Sequence, residues 1–100
     1  MEALKALKAK YVEDIRRKRL QLIIHSIIYY DLNDNIWPDD KWQQVADELT
    51  VLQKEYPHNI GTYDVEFKRW NGSTGFHLCG IAEMRYKAER MLKLYKERTT

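Results

Sequence analysis

From Glu2 to Tyr30 the chain contains neither Gly nor Pro, and Ala, Leu, Lys and Arg are abundant in it. A run of good helix formers with no breaker predicts one long helix, which takes up nearly a third of this 100-residue chain. Everything downstream must pack on it. Leu4, Leu7, Tyr11 and Ile15 mark a single apolar stripe, and a denser set follows at Leu20, Leu22, Ile23, Ile24, Ile27 and Ile28. The second half of the helix is therefore expected to be the more buried. The segment 31–35, Asp-Leu-Asn-Asp-Asn, ends it, because Asp and Asn side chains compete for backbone groups and favour turns.

A second helix is expected from Pro38-Asp39, capped by Asp39 or Asp40. Trp42, Val45, Ala46, Leu49, Leu52 and Tyr56 then recur at helical spacing, and Pro57 stops it. Tyr63, Val65 and Phe67 alternate with Asp64, Glu66 and Lys68, which reads as a short strand before a turn at Asn71-Gly72. A third helix is expected from about His77 to Glu97 on Ile81, Met84, Ala88, Met91, Leu92 and Tyr95, and Ser73 or Thr74 reads as its cap. The expected fold is all-α: a small three-helix bundle with an irregular loop, holding a short strand or hairpin, between the second and third helices. Residues 1–100 form one domain.

The formal net charge of +2 gives no global electrostatic case for nucleic acid or membrane. Its distribution is uneven. Residues 1–19 carry seven Lys/Arg against three acids, residues 31–56 two against seven, and residues 64–100 eight against five. Arg16, Arg17 and Arg19 on the first helix, with Lys87 and Arg90 on the last, are the candidates for phosphate contact in a DNA-associated reading. The single Cys79 excludes an internal disulfide and fits a reducing cytoplasm. The first residues lack the apolar core of a signal peptide, and no apolar run approaches membrane-spanning length, so a soluble cytoplasmic protein is expected. His25, His58, His77 and Cys79 lack the paired spacing of a structural zinc site, so no metal is expected. No nucleophile with an inferable base is present either, so the chain does not read as an enzyme.

Two tyrosines, Tyr29 and Tyr30, are followed after eight residues by Asp39, then after two more by Trp42 at a helix start. With Asn33, Asn35, Trp37, Pro38 and Gln43, and with Glu48-Leu49, Leu52-Gln53 and Tyr56-Pro57 beyond, this ungapped run resembles the small N-terminal helical domain of bacterial NAD-dependent DNA ligases. The resemblance covers about residues 20–57. It implies a pocket for the nicotinamide mononucleotide half of NAD, in which Tyr29, Tyr30 and Trp42 contact the ring and Asp39 a ribose hydroxyl. An aromatic face attracts a cationic pyridinium and a carboxylate accepts from a diol. Where the family places a second carboxylate, this chain has Gln43, which keeps an acceptor and loses the charge. The Lys-x-Asp-Gly motif of the ligase nucleotidyl-transfer domain is absent from the sequence.

The resemblance thus implies a noncatalytic accessory protein, of a kind commonly encoded by phages of Gram-positive hosts and acting in the bacterial host cytoplasm. Its ligand would be nicotinamide mononucleotide or NAD. Alternatively the same corner binds a host protein, as an inhibitor of a defence or replication factor. Homodimerisation through an exposed apolar stripe on the first helix is a further alternative. Against these stand plainer readings. The aromatics can seal a helix–helix corner, and Asp39 can serve only as a cap.

Overall fold

In a computed structural model the described residues are 2–56, 60–68, 70, 72–73 and 75–99, and their regular structure is entirely helical, with no strand among them. Helix α1 spans Glu2–Ser26 and runs directly into a single π turn at Ile27–Asp31. Helix α2 spans Asp39–Glu55, and α3 is one turn at Asp64–Phe67. Two 3₁₀ turns, Phe76–Gly80 and Ala82–Met84, lead into α4 at Arg85–Thr99. Pro57, His58, Asn71 and Thr74, singled out from the sequence, lie outside the described residues.

The core forms around the second half of α1, as the apolar density of that segment predicts. Leu22 through Ile28 are consecutively buried, so this stretch is enclosed on all sides rather than along one stripe. Helix α2 supplies Val45, Ala46 and Leu49 from one direction, and Phe67, Leu78, Met84 and Ala88 close the others. Farther up α1, Ile15 is buried and Tyr11 stacks on Tyr56, with ring centroids 3.7 Å apart at 17°. The stripe expected to be free for a second copy is therefore occupied within the chain at Tyr11 and Ile15.

Three local expectations are corrected. The run from Tyr63 to Lys68 is a helical turn, not a strand. Asp64 dictates this: its Oδ1 accepts from the Ile60 N–H at 2.9 Å and its Oδ2 from the Gly61 N–H at 2.8 Å, folding the chain back on itself, while Tyr63 takes a left-handed conformation at φ 54°. The last helix begins at Arg85 rather than near His77, because Ile81, at ψ 87°, interrupts the helical path between two 3₁₀ turns. Ser73 is consequently too far back in the chain to cap it. At the start of α2, Pro38 holds the capping position without a side-chain bond, so Asp39 and Asp40 lie inside the first turn, where they favour the positive end of the helix dipole and Asp40 Oδ1 accepts from the Lys41 N–H at 3.0 Å.

Arg19 is the fourth correction. Instead of facing phosphate it is fully buried: its Nε donates to Gln53 Oε1 at 2.9 Å, and one terminal nitrogen donates to the Thr62 carbonyl at 2.8 Å and to Asp64 Oδ1 at 2.7 Å. Its guanidinium carbon also sits 5.3 Å from the centre of the Phe67 ring. One planar cation thereby ties α1 to α2 and to the 60–67 segment.

Candidate functional site

The π turn shapes the site. Leu32 N–H donates to the Ile27 carbonyl at 3.0 Å, a five-residue reach, and Asp34 N–H donates to the Ile28 carbonyl at 2.9 Å. Widening one turn in this way re-aims the side chains it carries, and such turns recur at functional sites. Here the carried side chains are Tyr29 and Tyr30. Their rings meet edge to face, 4.9 Å between centroids at 83°, and they are 50% and 42% exposed. Two ion pairs fasten the turn and the following loop to α4: Arg85 with Asp31, and Lys96 Nζ with Asp34 Oδ2 at 2.8 Å.

Between the π turn and the start of α2 lies a cavity of about 230 Å³. Tyr29, Tyr30, Asp39, Trp42 and Gln43 all line it. Drug-sized ligand pockets begin at about 300 Å³, so this one suits a single aromatic ring with its substituents rather than a whole dinucleotide. Among the described residues no Lys or Arg lines it, and Asp39 is the one carboxylate that does. The arrangement favours neutral or cationic rings.

Each wall has an identifiable origin. Trp42 projects from the first turn of α2, and its Nε1 donates a long hydrogen bond to Ser26 Oγ at 3.4 Å, which anchors the indole to the end of α1. Asp39 stands at the α2 N-terminus, free of a capping bond. Gln43 does something a carboxylate could not: its Nε2 donates to Asp47 Oδ1 at 2.9 Å and to the Gly72 carbonyl at 3.1 Å, drawing Gly72 towards α2. The amide thus serves as a structural tether there. Gly75 approaches closely enough that a Cβ on it would collide with Ser26 Oγ and lie 2.8 Å from Trp42 Cζ2.

The sequence assigns no nucleotide-binding role to His25, and places Trp37 only among the aromatics of the corner. His25 is 7% exposed and lines the cavity; its ring stacks on Trp37 at 3.7 Å and 12°, and its Nδ1 is buried with no hydrogen-bond partner. An unmade hydrogen bond of this kind costs about 1–3 kcal/mol. Burial pushes the imidazole pKa from 6.5 down to about 4, so it is neutral at neutral pH. The available signal was its position: with Ser26 it is the only polar residue in an otherwise apolar stretch from Leu22 to Ile28.

The basic candidates are not assembled into one patch. Arg16 pairs with Glu13, and Arg17 with Asp14 at 2.6 Å, both along the exposed surface of α1. Lys87 and Arg90 lie instead on α4, beside an apolar groove lined by Met91, Leu94 and Tyr95. Among the described residues no group of three His, Cys, Asp or Glu side chains is placed to hold a metal ion, and no helix is long and apolar enough to cross a membrane.

No protein-family model, curated protein or solved structure matches this chain.

Proposed function

We propose that the protein is a noncatalytic binding module whose Tyr29–Trp42 corner takes the nicotinamide nucleoside part of nicotinamide mononucleotide or NAD. The observation that carries this reading is that Tyr29, Tyr30, Asp39, Trp42 and Gln43, singled out by resemblance to the ligase N-terminal domain, all line one cavity. Exposed tyrosine rings and the Trp42 indole offer faces to a pyridinium, and the uncapped Asp39 carboxylate offers an acceptor to a diol. Gln43 commits its Nε2 to Asp47 and the Gly72 carbonyl, so Asp39 supplies the charged acceptor for the ribose. The working context is that of a phage-type accessory protein in a bacterial cytoplasm.

Substituting the two ends of the pocket tests this. Tyr29→Ala and Asp39→Ala each weaken binding of nicotinamide mononucleotide at least about tenfold, because each removes a ring face or a charge-assisted hydrogen bond. Far-ultraviolet circular dichroism stays unchanged, since Tyr29 is half exposed and Asp39 caps nothing. Unaltered affinity in both variants overturns the reading.

A second reading rests on a separate surface. Met91, Leu94 and Tyr95 are 39%, 45% and 41% exposed on α4, and Lys87, Arg90 and Arg98 flank them. Apolar residues rimmed by cations suit contact with an acidic protein surface, as inhibition of a host defence or replication protein would require. A DNA-associated role is the weaker alternative, because Arg19 is buried and Arg16 and Arg17 are paired with carboxylates.

A further inference from the structure

We propose that the groove along α4 takes an acidic amphipathic helix of a partner protein, whose apolar side chains seat on Met91, Leu94 and Tyr95 while its carboxylates meet Lys87, Arg90 and Arg98. The inference rests on the second reading above, which assigns an acidic protein surface to α4, and adds to it the form in which that partner is recognised.

Lys87, Arg90, Met91, Leu94, Tyr95 and Arg98 line the groove, and they recur at three- and four-residue spacing along one helix. That is a single helical face, about 17 Å long at 1.5 Å per residue. Ile36, from the loop ahead of α2, lines it as well, so a second element borders the groove. Charge is divided around the helix. Its acids, Glu89 and Glu97, line a different surface together with Lys93 and Lys96, where Glu89 pairs with Arg85 and Lys96 with Asp34. Lys87, Arg90 and Arg98 are exposed, and among the described residues no acid pairs with them. The groove therefore presents apolar side chains flanked by cations whose charge is not met within the chain.

A helix suits this face better than other occupants. An extended peptide takes its main-chain hydrogen bonds from a sheet edge, and there is no strand among the described residues. A second copy of α4 would set Lys87, Arg90 and Arg98 against like charges. A lipid surface needs apolar side chains that sink about 5–10 Å into it, whereas Met91, Leu94 and Tyr95 are each less than half exposed. Nucleic acid would meet three cations separated by apolar side chains instead of a continuous phosphate track. An amphipathic helix with apolar anchors at three- and four-residue spacing and Asp or Glu beside them answers the apolar strip and the cations together.

The test titrates the full ¹⁵N-labelled chain with a synthetic peptide of about 20 residues that carries Leu at heptad positions a and d and Glu at e and g. Two control peptides replace every Glu by Lys, or place Pro at the centre of the acidic peptide. The acidic peptide is expected to gain helicity, to shift the amides of α4 and Ile36 saturably, and to lose at least about tenfold in affinity between about 50 and 300 mM salt. Leu94→Ser and the double variant Arg90→Glu/Arg98→Glu are each expected to weaken it about tenfold or more. All three positions are exposed, so the helical circular-dichroism signal is expected to stay unchanged. Equal binding of the Pro-containing peptide overturns the helical form and leaves the acidic-partner reading standing. Equal binding of the Lys peptide, unchanged affinity in both variants, or no shift in α4 with any of the three peptides overturns the inference and that reading with it. Shifts of the same amides as large with single-stranded DNA or with anionic phospholipid vesicles at matched salt overturn the assignment to a protein helix. Should the double variant fail to fold, Leu94→Ser and the control peptides decide the matter.

Discussion

The imidazole of His25 lies face to face with the indole of Trp37, 3.7 Å between ring centres and 12° from parallel. This contact joins the buried end of α1 to the loop ahead of α2, and it is made with an uncharged ring. Burial holds the folded-state pKa near 4, against 6.5 when the ring is solvated. Between those values the unfolded chain binds the proton and the folded chain does not, so stability rises with pH across that window. Urea titrations at pH 7, 6, 5 and 4 are expected to show progressive loss of stability, reaching a few kcal/mol at the lower end. In His25→Phe that dependence between pH 6.5 and 4 is expected to shrink, leaving the contribution of carboxylates at the acid end.

Arg19 and Asp64 supply a second prediction. The guanidinium is fully buried and Asp64 is a quarter exposed, so removing the cation takes away the hydrogen bonds it donates to the Gln53, Thr62 and Asp64 oxygens. Breaking a buried pair costs about 3–5 kcal/mol, and the partial exposure of Asp64 places Arg19→Ala at the lower end of that range. Arg19→Lys is expected to recover only part, because an ammonium cannot span three acceptors held by a planar fork. The midpoint and slope of urea unfolding measure both.

Asp64 also responds to acid in the opposite sense from a buried neutral acid. Desolvation pushes its pKa up, but the Arg19 guanidinium and the Ile60 and Gly61 amides outweigh this, and the net direction is down. Its contribution is therefore full above the ordinary carboxylate range and is lost as pH falls through a value below 3.8. In Asp64→Asn the stability loss measured at pH 7 is expected to narrow against the wild type at pH 2 to 3.

Gly75 is needed for its lack of a side chain rather than for an unusual backbone angle, its φ being −105°. Gly75→Ala forces either Ser26 or Trp42 to move, and overpacking of this kind costs about 1–3 kcal/mol. A shifted Trp42 emission maximum together with lower thermal stability is the expected outcome, and an unchanged spectrum at unchanged stability counts against the tight contact.

Much of the architecture was legible in the sequence, because it depended on periodicity. The breaker-free opening segment, the apolar density of its second half and the Pro38-Asp39 start of α2 each act locally and appear as expected. What was not legible depended on pairings distant in sequence. Asp64 looked like the polar position of a strand because its partner Arg19 lies 45 residues away, although its bonds to the Ile60 and Gly61 amides are local. Arg19 does share a helical stripe with Ile15, Leu22 and Ile23, and that position among buried residues was the available hint of its burial. The π turn had no composition signal, yet it carries both tyrosines. Of the site, the aromatic and acidic corner was visible as a motif, whereas Gln43 as a tether and His25 as an unpaired wall residue emerged only from packing.

The measurement closest to the central claim is a titration of ¹⁵N-labelled protein with nicotinamide mononucleotide and NAD, following backbone amide resonances. Saturable shifts confined to Tyr29, Tyr30, Asp39, Trp42 and the neighbouring His25–Ser26 segment are the expected result. Spectra unchanged at millimolar ligand, or shifts confined to α4 around Met91 and Leu94, contradict it.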